Sequence, residues 1–194
     1  STSTVDMNAG MIDINAGIAA GANAINLTGN DFDLMSTGAD ISTTSTVTLN
    51  ANANNFAIGQ ASGGGATVSD AELDFITAAT LEFNTTSTAV LGGITAANTG
   101  TITSFVVDID GAITTSGVSV IDNAVTLEAA DSITLSHNFS SNDSTLTFDS
   151  ATDGLGVFTI DPGVAVQSGT TGPQVTDDIS IRASDVSIGV TASV

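Results

Sequence analysis

The sequence predicts an all-β fold: a parallel β-helix, or β-solenoid, with coils of about 20 residues. Three observations carry the prediction. A short apolar–polar–apolar unit recurs along the chain, turn-forming residues separate consecutive units, and the apolar residues are nearly all small aliphatics.

The unit opens as Val5-Asp6-Met7 and continues through Ile12-Asp13-Ile14, Ile25-Asn26-Leu27, Phe32-Asp33-Leu34, Val47-Thr48-Leu49 and Phe56-Ala57-Ile58. It returns as Leu73-Asp74-Phe75, Leu81-Glu82-Phe83, Val107-Asp108-Ile109, Val118-Ser119-Val120, Val125-Thr126-Leu127 and Ile133-Thr134-Leu135. It closes with Leu146-Thr147-Phe148, Phe158-Thr159-Ile160, Val164-Ala165-Val166, Ile179-Ser180-Ile181 and Val186-Ser187-Ile188. Period-two alternation turns both apolar residues to one face and the polar residue to solvent.

Neighbouring units often begin about six to nine residues apart, as from Val5 to Ile12 or from Val125 to Ile133. Gly, Asn, Ala and Ser fill the gaps, and they turn a chain at little steric cost. Strands this short do not build a sandwich, but two or three of them make the sides of one coil. Roughly nine or ten coils follow, a rod about 45 Å long at the ~4.8 Å strand spacing. Such a rod lines its interior with similar side chains in every layer. The chain has no Trp, Tyr or Cys and only eight Phe, so it lacks the bulky aromatics that fill irregular cores. Thr and Asn suit ladders on the outer faces, and Glu, a helix former, occurs only at 72, 82 and 128.

Some stretches depart from the pattern. Ser69-Asp70-Ala71-Glu72 has the S-x-x-E form of a capping box. It predicts a short helix near 70–79, in competition with the strand reading of Leu73-Asp74-Phe75. Gly63-Gly64-Gly65 marks a break or tight corner just before it. Stretches 138–143, 149–156 and 167–178 lack alternation and are expected to loop out, with Pro162 and Pro173 in or beside turns. No linker divides the chain, so residues 1–194 read as a single solenoid segment. The opening Ser1-Thr2-Ser3-Thr4 and the mid-pattern end at Val194 predict a section of a longer protein or a repeat unit of a filament.

Charge narrows the function. Twenty-one acidic residues face one basic residue, Arg182, for a formal net charge of −20. Such a chain has no means of neutralising phosphate, which argues against nucleic-acid binding, and anionic membrane surfaces repel it. No stretch reaches the roughly 18 apolar residues of a membrane span, so no membrane insertion is expected. The absence of Cys excludes a disulfide framework and thiolate chemistry.

Several residues carry a family likeness. Ile58-Gly59, Gly63-Gly64-Gly65, Val68-Ser69-Asp70-Ala71-Glu72-Leu73, Ile76-Thr77-Ala78 and Leu81 resemble a motif of filamentous-haemagglutinin-like bacterial surface proteins. Asp13-Ile14-Asn15-Ala16-Gly17 and Val47-Thr48-Leu49-Asn50-Ala51 resemble the same group. The motif-level likeness spans about 25 residues, and the likeness in composition spans the chain. The resemblance implies an exported, right-handed parallel β-helix used as an adhesin or surface fibre. It implies no catalytic residue.

Candidate chemistry is sparse. His137, the sole histidine, sits in Leu135-Ser136-His137-Asn138. A zinc site there needs three carboxylates to join it, and no G-x-S-x-G elbow supports a nucleophilic triad, so it reads as a polar loop residue. Polysaccharide-active β-helix enzymes are the enzyme class to weigh. The lyases meet acidic sugars with Arg or Lys, of which only Arg182 is present, and the hydrolases need clustered carboxylates. Asp31 with Asp33, and Asp108 with Asp110, each share a strand face, where acidic pairs are expected to be solvated. No enzyme activity is expected.

The same four residues, Asp31, Asp33, Asp108 and Asp110, are the candidate ligands for structural calcium, a hard cation that takes oxygen donors. Stacked coils bring like charges within about 5 Å, and a cation relieves that repulsion. Asp177-Asp178 is a further acidic pair; a G-G-x-G-x-D repeat and an EF-hand loop are both absent. Asn-x-Ser/Thr sequons occur at Asn26, Asn84, Asn138 and Asn142, the last two in an expected loop.

The expected role is structural: an extracellular or cell-surface rod, extended by head-to-tail self-stacking or by further segments of the same chain, because free strand edges recruit other strands. The alternative is an adhesin passenger that contacts a host or neighbouring cell through loops near 138–156 and 167–178.

Overall fold

The structure, a computed structural model, describes residues 4–34, 40–52, 54–59, 65–142, 144–151, 154–169 and 178–189. The first coil holds β1 (Val5–Asn8), β2 (Met11–Asp13) and β3 (Ile18–Gly21). The second holds β4 (Ile25–Gly29), β5 (Asp31–Asp33) and β6 (Ile41–Thr43). The third holds β7 (Thr46–Ala51), β8 (Phe56–Gly59), β9 (Ala66–Val68) and a single-turn helix α1 (Asp70–Leu73). The fourth holds β10 (Ile76–Thr85), β11 (Ala89–Gly92) and a second single-turn helix, α2 (Ala96–Thr99). Then come β12 (Ile102–Ile109), β13 (Ala112–Thr115) and β14 (Ser119–Ile121), followed by β15 (Ala124–Ala129), β16 (Ser132–Leu135) and β17 (Phe139–Ser141). The seventh coil holds β18 (Leu146–Asp149), β19 (Val157–Ile160) and β20 (Val166–Ser168), and β21 (Ile179–Arg182) and β22 (Asp185–Ile188) begin another rung.

The fold is the expected β-solenoid. Its main sheet runs β1-β4-β7-β10-β12-β15-β18-β21, every neighbour parallel. A second sheet runs β9-β8-β11-β13-β16-β19-β22, with the β2-β5 pair beside it. The third side is built from β3-β6 running onto the start of β10, and from β14-β17-β20.

Alternation in the sequence explains the main sheet. Ile25, Val47, Leu81, Phe105, Val125 and Leu146 stand in register, all pointing inward and all buried. Leu27, Leu49, Phe83, Val107, Leu127 and Phe148 form a second buried line two residues on. Each such side chain, removed from water, contributes about 1.5–3 kcal/mol. Seven of the eight Phe are buried. Phe32, Phe56, Phe83 and Phe105 make one chain of rings with centroids 5.7, 5.3 and 5.3 Å apart, and Phe139, Phe148 and Phe158 make another. The few aromatics thus form axial runs inside the aliphatic layers.

Several expectations need correction. The molecule has about seven turns with a mean of about 24 residues, against the nine or ten coils of about 20 residues read from spacing. The short coils do keep the expected length: Val5 pairs with Ile25, Phe105 with Val125 and Val125 with Leu146. Two long coils raise the mean, between the paired residues Val47 and Leu81 and between Leu146 and Ile179. The first of these contains β9 and α1. At the ~4.8 Å spacing, seven steps along the main sheet give about 34 Å, not 45 Å.

The stretch 138–143 does not loop out as a whole, since Phe139–Ser141 is β17. The alternation of Val118-Ser119-Val120 predicts buried valines, but the strand is one residue out of phase with it: Ser119 and Ile121 are buried, whereas Val118 is exposed. The capping box exists, but its helix is one turn long and ends at Leu73, so Leu73-Asp74-Phe75 is not a strand. Pro162 lies in a turn as expected, closed by the Val164 N–H donating to the Asp161 carbonyl at 3.2 Å. Gly63, Gly64, Asp143, Pro173 and Asp177, and most of 167–178, lie outside the described residues.

Candidate functional site

The outer face of the main sheet carries a line of polar residues. Pairing register places Asn8, Thr28, Asn50, Asn84, Asp108, Glu128, Asp149 and Arg182 on successive rungs. Adjacent rungs are about 4.8 Å apart, so Asp108, Glu128 and Asp149 form an unbroken run of three carboxylates. Arg182 closes the run, its Nη1 2.7 Å from Asp149 Oδ2. Partial loss of hydration, then the charges of Glu82 and Asp110, push the Asp108 carboxyl above the usual range. Glu128 moves the same way, by partial loss of hydration and then by Asp108, Asp149 and Glu82, with Arg182 acting against them. A surface groove of about 410 Å³ runs beside this line, lined by Asn50, Asn84, Thr86, Asp108 and Asp110 among others. Within it the Asn84 Oδ1 is buried, with no hydrogen-bond donor among the described residues. Such a face attracts cations and takes up protons.

The four expected calcium ligands do not come together. Asp108 and Asp110 share the groove, whereas Asp31 and Asp33 lie on β5, on another side of the coil. Asp31 has a structural task. Strands β5 and β9 lie side by side without a shared main-chain ladder. There Asp31 Oδ1 accepts from the Thr67 N–H (2.9 Å), the Thr67 hydroxyl (2.8 Å) and the Phe32 N–H (3.0 Å). Among the described residues, no three His, Cys, Asp or Glu are arranged to hold a metal ion. The partners of Asp108 that sequence reasoning missed are Glu128 and Asp149. The signal for them is the short-coil length itself, since each follows the last by one such coil.

Two buried carboxylates, Asp70 and Glu72, organise the third side. Glu72 Oε2 accepts from the Ser69 N–H and hydroxyl, each at 2.7 Å, while the Ser69 hydroxyl accepts from the Glu72 N–H. Its other oxygen accepts from the Leu34 N–H at 2.8 Å. Helix α2 has no side-chain cap of its own. Asp70 serves it from the previous coil, accepting from the Thr95 N–H at 2.8 Å and from Asn98 Nδ2 at 2.9 Å. Both carboxylates saturate main-chain donors that the sheets leave over.

The remaining polar candidates are also tied between coils. His137 Nδ1 lies 3.1 Å from the Thr115 carbonyl oxygen, and the neighbouring Ser136 hydroxyl donates to Asp161 at 2.6 Å. In the sequons, Asn138 Oδ1 accepts from the Ala165 N–H at 2.8 Å, and Asn142 Nδ2 donates to Asp122 at 2.9 Å.

No protein-family model, curated protein or solved structure matches the chain.

Proposed function

We propose that this chain is a structural section of an extracellular or cell-surface fibre, without enzymatic activity, of the filamentous-haemagglutinin-like kind. The observation that carries this reading is the main sheet itself: eight parallel strands in continuous register across the molecule. A parallel stack of this kind transmits load through main-chain hydrogen bonds on every rung and extends by adding rungs. The acidic outer face supports the same role, because like-charged rods repel side by side and are left to grow end to end. The fibre lengthens either through further segments of the same chain or through stacked copies. The adhesin alternative gains no support from the 138–142 stretch, much of which is β17.

Negative-stain imaging of the native material tests the proposal. Long uniform fibres are expected. Short isolated rods standing on cells would count against it and favour an adhesin passenger.

A further inference from the structure

At one place on the second side, two carboxylates stand in for a strand ladder. Strand β9 pairs with β8, Ala66 opposite Phe56, and its other edge lies beside β5. It adds a level there. Among the described residues the second side runs β2-β5-β9-β8-β11-β13-β16-β19-β22, nine levels against eight in the main sheet. Every other pair of neighbours on that side shares a parallel ladder. Between β5 and β9 there is none.

The N–H groups along this seam go to side chains instead. Phe32 and Leu34 are two residues apart, as are Thr67 and Ser69, so each pair lines one edge of its strand. Asp31 Oδ1 accepts from the Phe32 N–H at 3.0 Å and from the Thr67 N–H at 2.9 Å. Glu72 accepts from the Leu34 N–H at 2.8 Å through Oε1 and from the Ser69 N–H at 2.7 Å through Oε2. Each carboxylate thus holds one N–H from either edge. The Glu72 end is buried, whereas Thr67 at the Asp31 end is exposed, so water competes there for the same donors.

The other two sides of the coil are held differently. In the main sheet, Ile25–Gly29 of β4 pair residue by residue with Val47–Ala51 of β7. On the third side, Ile41 and Ser42 pair with Ile76 and Thr77. Inside, the small Ala66 of β9 leaves room for Phe32 to stack on Phe56 beyond it, with ring centroids 5.7 Å apart. The seam therefore has a stiff wall on either flank and a core contact behind it. Release of two side chains frees its whole edge.

We propose that the β5–β9 seam is a hinge. The first two coils open from the third along this one side, pivoting on the β4–β7 ladder, and the four N–H groups leave the two carboxylates in one event. The hinge makes the rod yield at a fixed point without unfolding, whether or not the chain builds a fibre.

Amide hydrogen exchange of the full chain, read residue by residue by NMR, tests it. The amides of Phe32, Leu34, Thr67 and Ser69 are expected to share one protection factor, within about threefold, at least roughly tenfold below those of β11 and β13 on the same side. In low urea their protection should stay nearly flat while that of β11 and β13 falls, because opening the seam exposes little surface. Seam amides as protected as β11 and β13, or equally sensitive to urea, would overturn the hinge. These readings need only the unmodified chain. Asp31→Ala adds a test of the single event. It removes the acceptor of Phe32 and Thr67 alone, yet is expected to lower the protection of Leu34 and Ser69 as well, roughly tenfold for all four. A loss confined to Phe32 and Thr67 would show two separate contacts and no common hinge.

Discussion

The main-chain N–H of Leu34 donates to Glu72 Oε1 at 2.8 Å, joining residues 38 positions apart. Leu34 follows β5, whose rung is left without a main-chain ladder to β9, and the carboxylate that caps α1 supplies its acceptor. Glu72→Ala leaves the Leu34 and Ser69 donors unpaired in a buried place, at a cost of about 3 kcal/mol. Glu72→Gln keeps the shape but turns an amide N–H₂ toward N–H donors, and is expected to recover less than half of that. Thermal melts followed by far-UV circular dichroism read both. A Glu72→Ala variant as stable as the parent would remove this link from the account.

Phe83 touches two rings, Phe56 at 5.3 Å edge-on and Phe105 at 5.3 Å tilted, and is wholly buried. Phe83→Ala is expected to cost about 3–5 kcal/mol, and Phe83→Leu, which keeps most of the volume, less than half as much. Denaturant titration of the two variants checks the order.

Gly59 has φ +82° and stacks on Gly92 in the next coil. A methyl group at Gly59 would overlap the Gly92 carbonyl oxygen and Ile94 Cγ1. Gly59→Ala therefore combines left-handed backbone strain with a main-chain clash, and a loss of more than about 2 kcal/mol is expected. Gly21 shares the left-handed conformation at φ +62° but has open space around it, so Gly21→Ala should cost only the strain. Equal losses at both sites would contradict the close approach of the coils.

The acidic line makes stability depend on pH. Asp108 and Glu128 are held above their ordinary range in the fold, so the folded chain binds more protons than the unfolded chain in the window just above that range. Stability then falls as pH rises and increases as pH is lowered from about 7 toward about 4, levelling off where both states are protonated. The Tm is expected to rise on acidification across that window. Asp108→Asn with Glu128→Gln should raise the Tm at neutral pH and flatten the slope. A slope unchanged in the double variant would place its origin in the overall charge instead.

How much of this was legible depended on which side of the coil a residue occupied. The main and second sheets put aliphatics inward and polar residues outward, so Val47-Thr48-Leu49 or Ile133-Thr134-Leu135 announced their faces. The third side buries hydroxyls instead. Thr43 donates to the Gly21 and Asn23 carbonyls, and Ser141 to those of Asn123 and Ser144, so inward and outward residues there look alike. That is why the alternation of Val118-Ser119-Val120 points to the wrong face. The α1 cap was visible because Ser69 and Glu72 are three residues apart. The α2 cap was not, because Asp70 reaches it from 25 residues away. The same distance effect hid the neighbours of Asp108. Glu128 and Asp149 adjoin it only once the coil length is known, and the two long coils blur that length along the rest of the chain.

Distance measured through the rod tests the central claim most directly. Thr48, Glu82, Val106, Thr126, Thr147 and Ser180 are outward residues on successive rungs of the main sheet. Spin labels on Thr48→Cys paired with Thr147→Cys should lie about 19 Å apart by pulsed electron spin resonance, and on Thr48→Cys paired with Ser180→Cys about 24 Å, one ~4.8 Å rung farther. The second pair is separated by 33 more residues yet gains only that single step. Distances that grow with the number of residues, or that shorten from the first pair to the second, would contradict a parallel stack of coils.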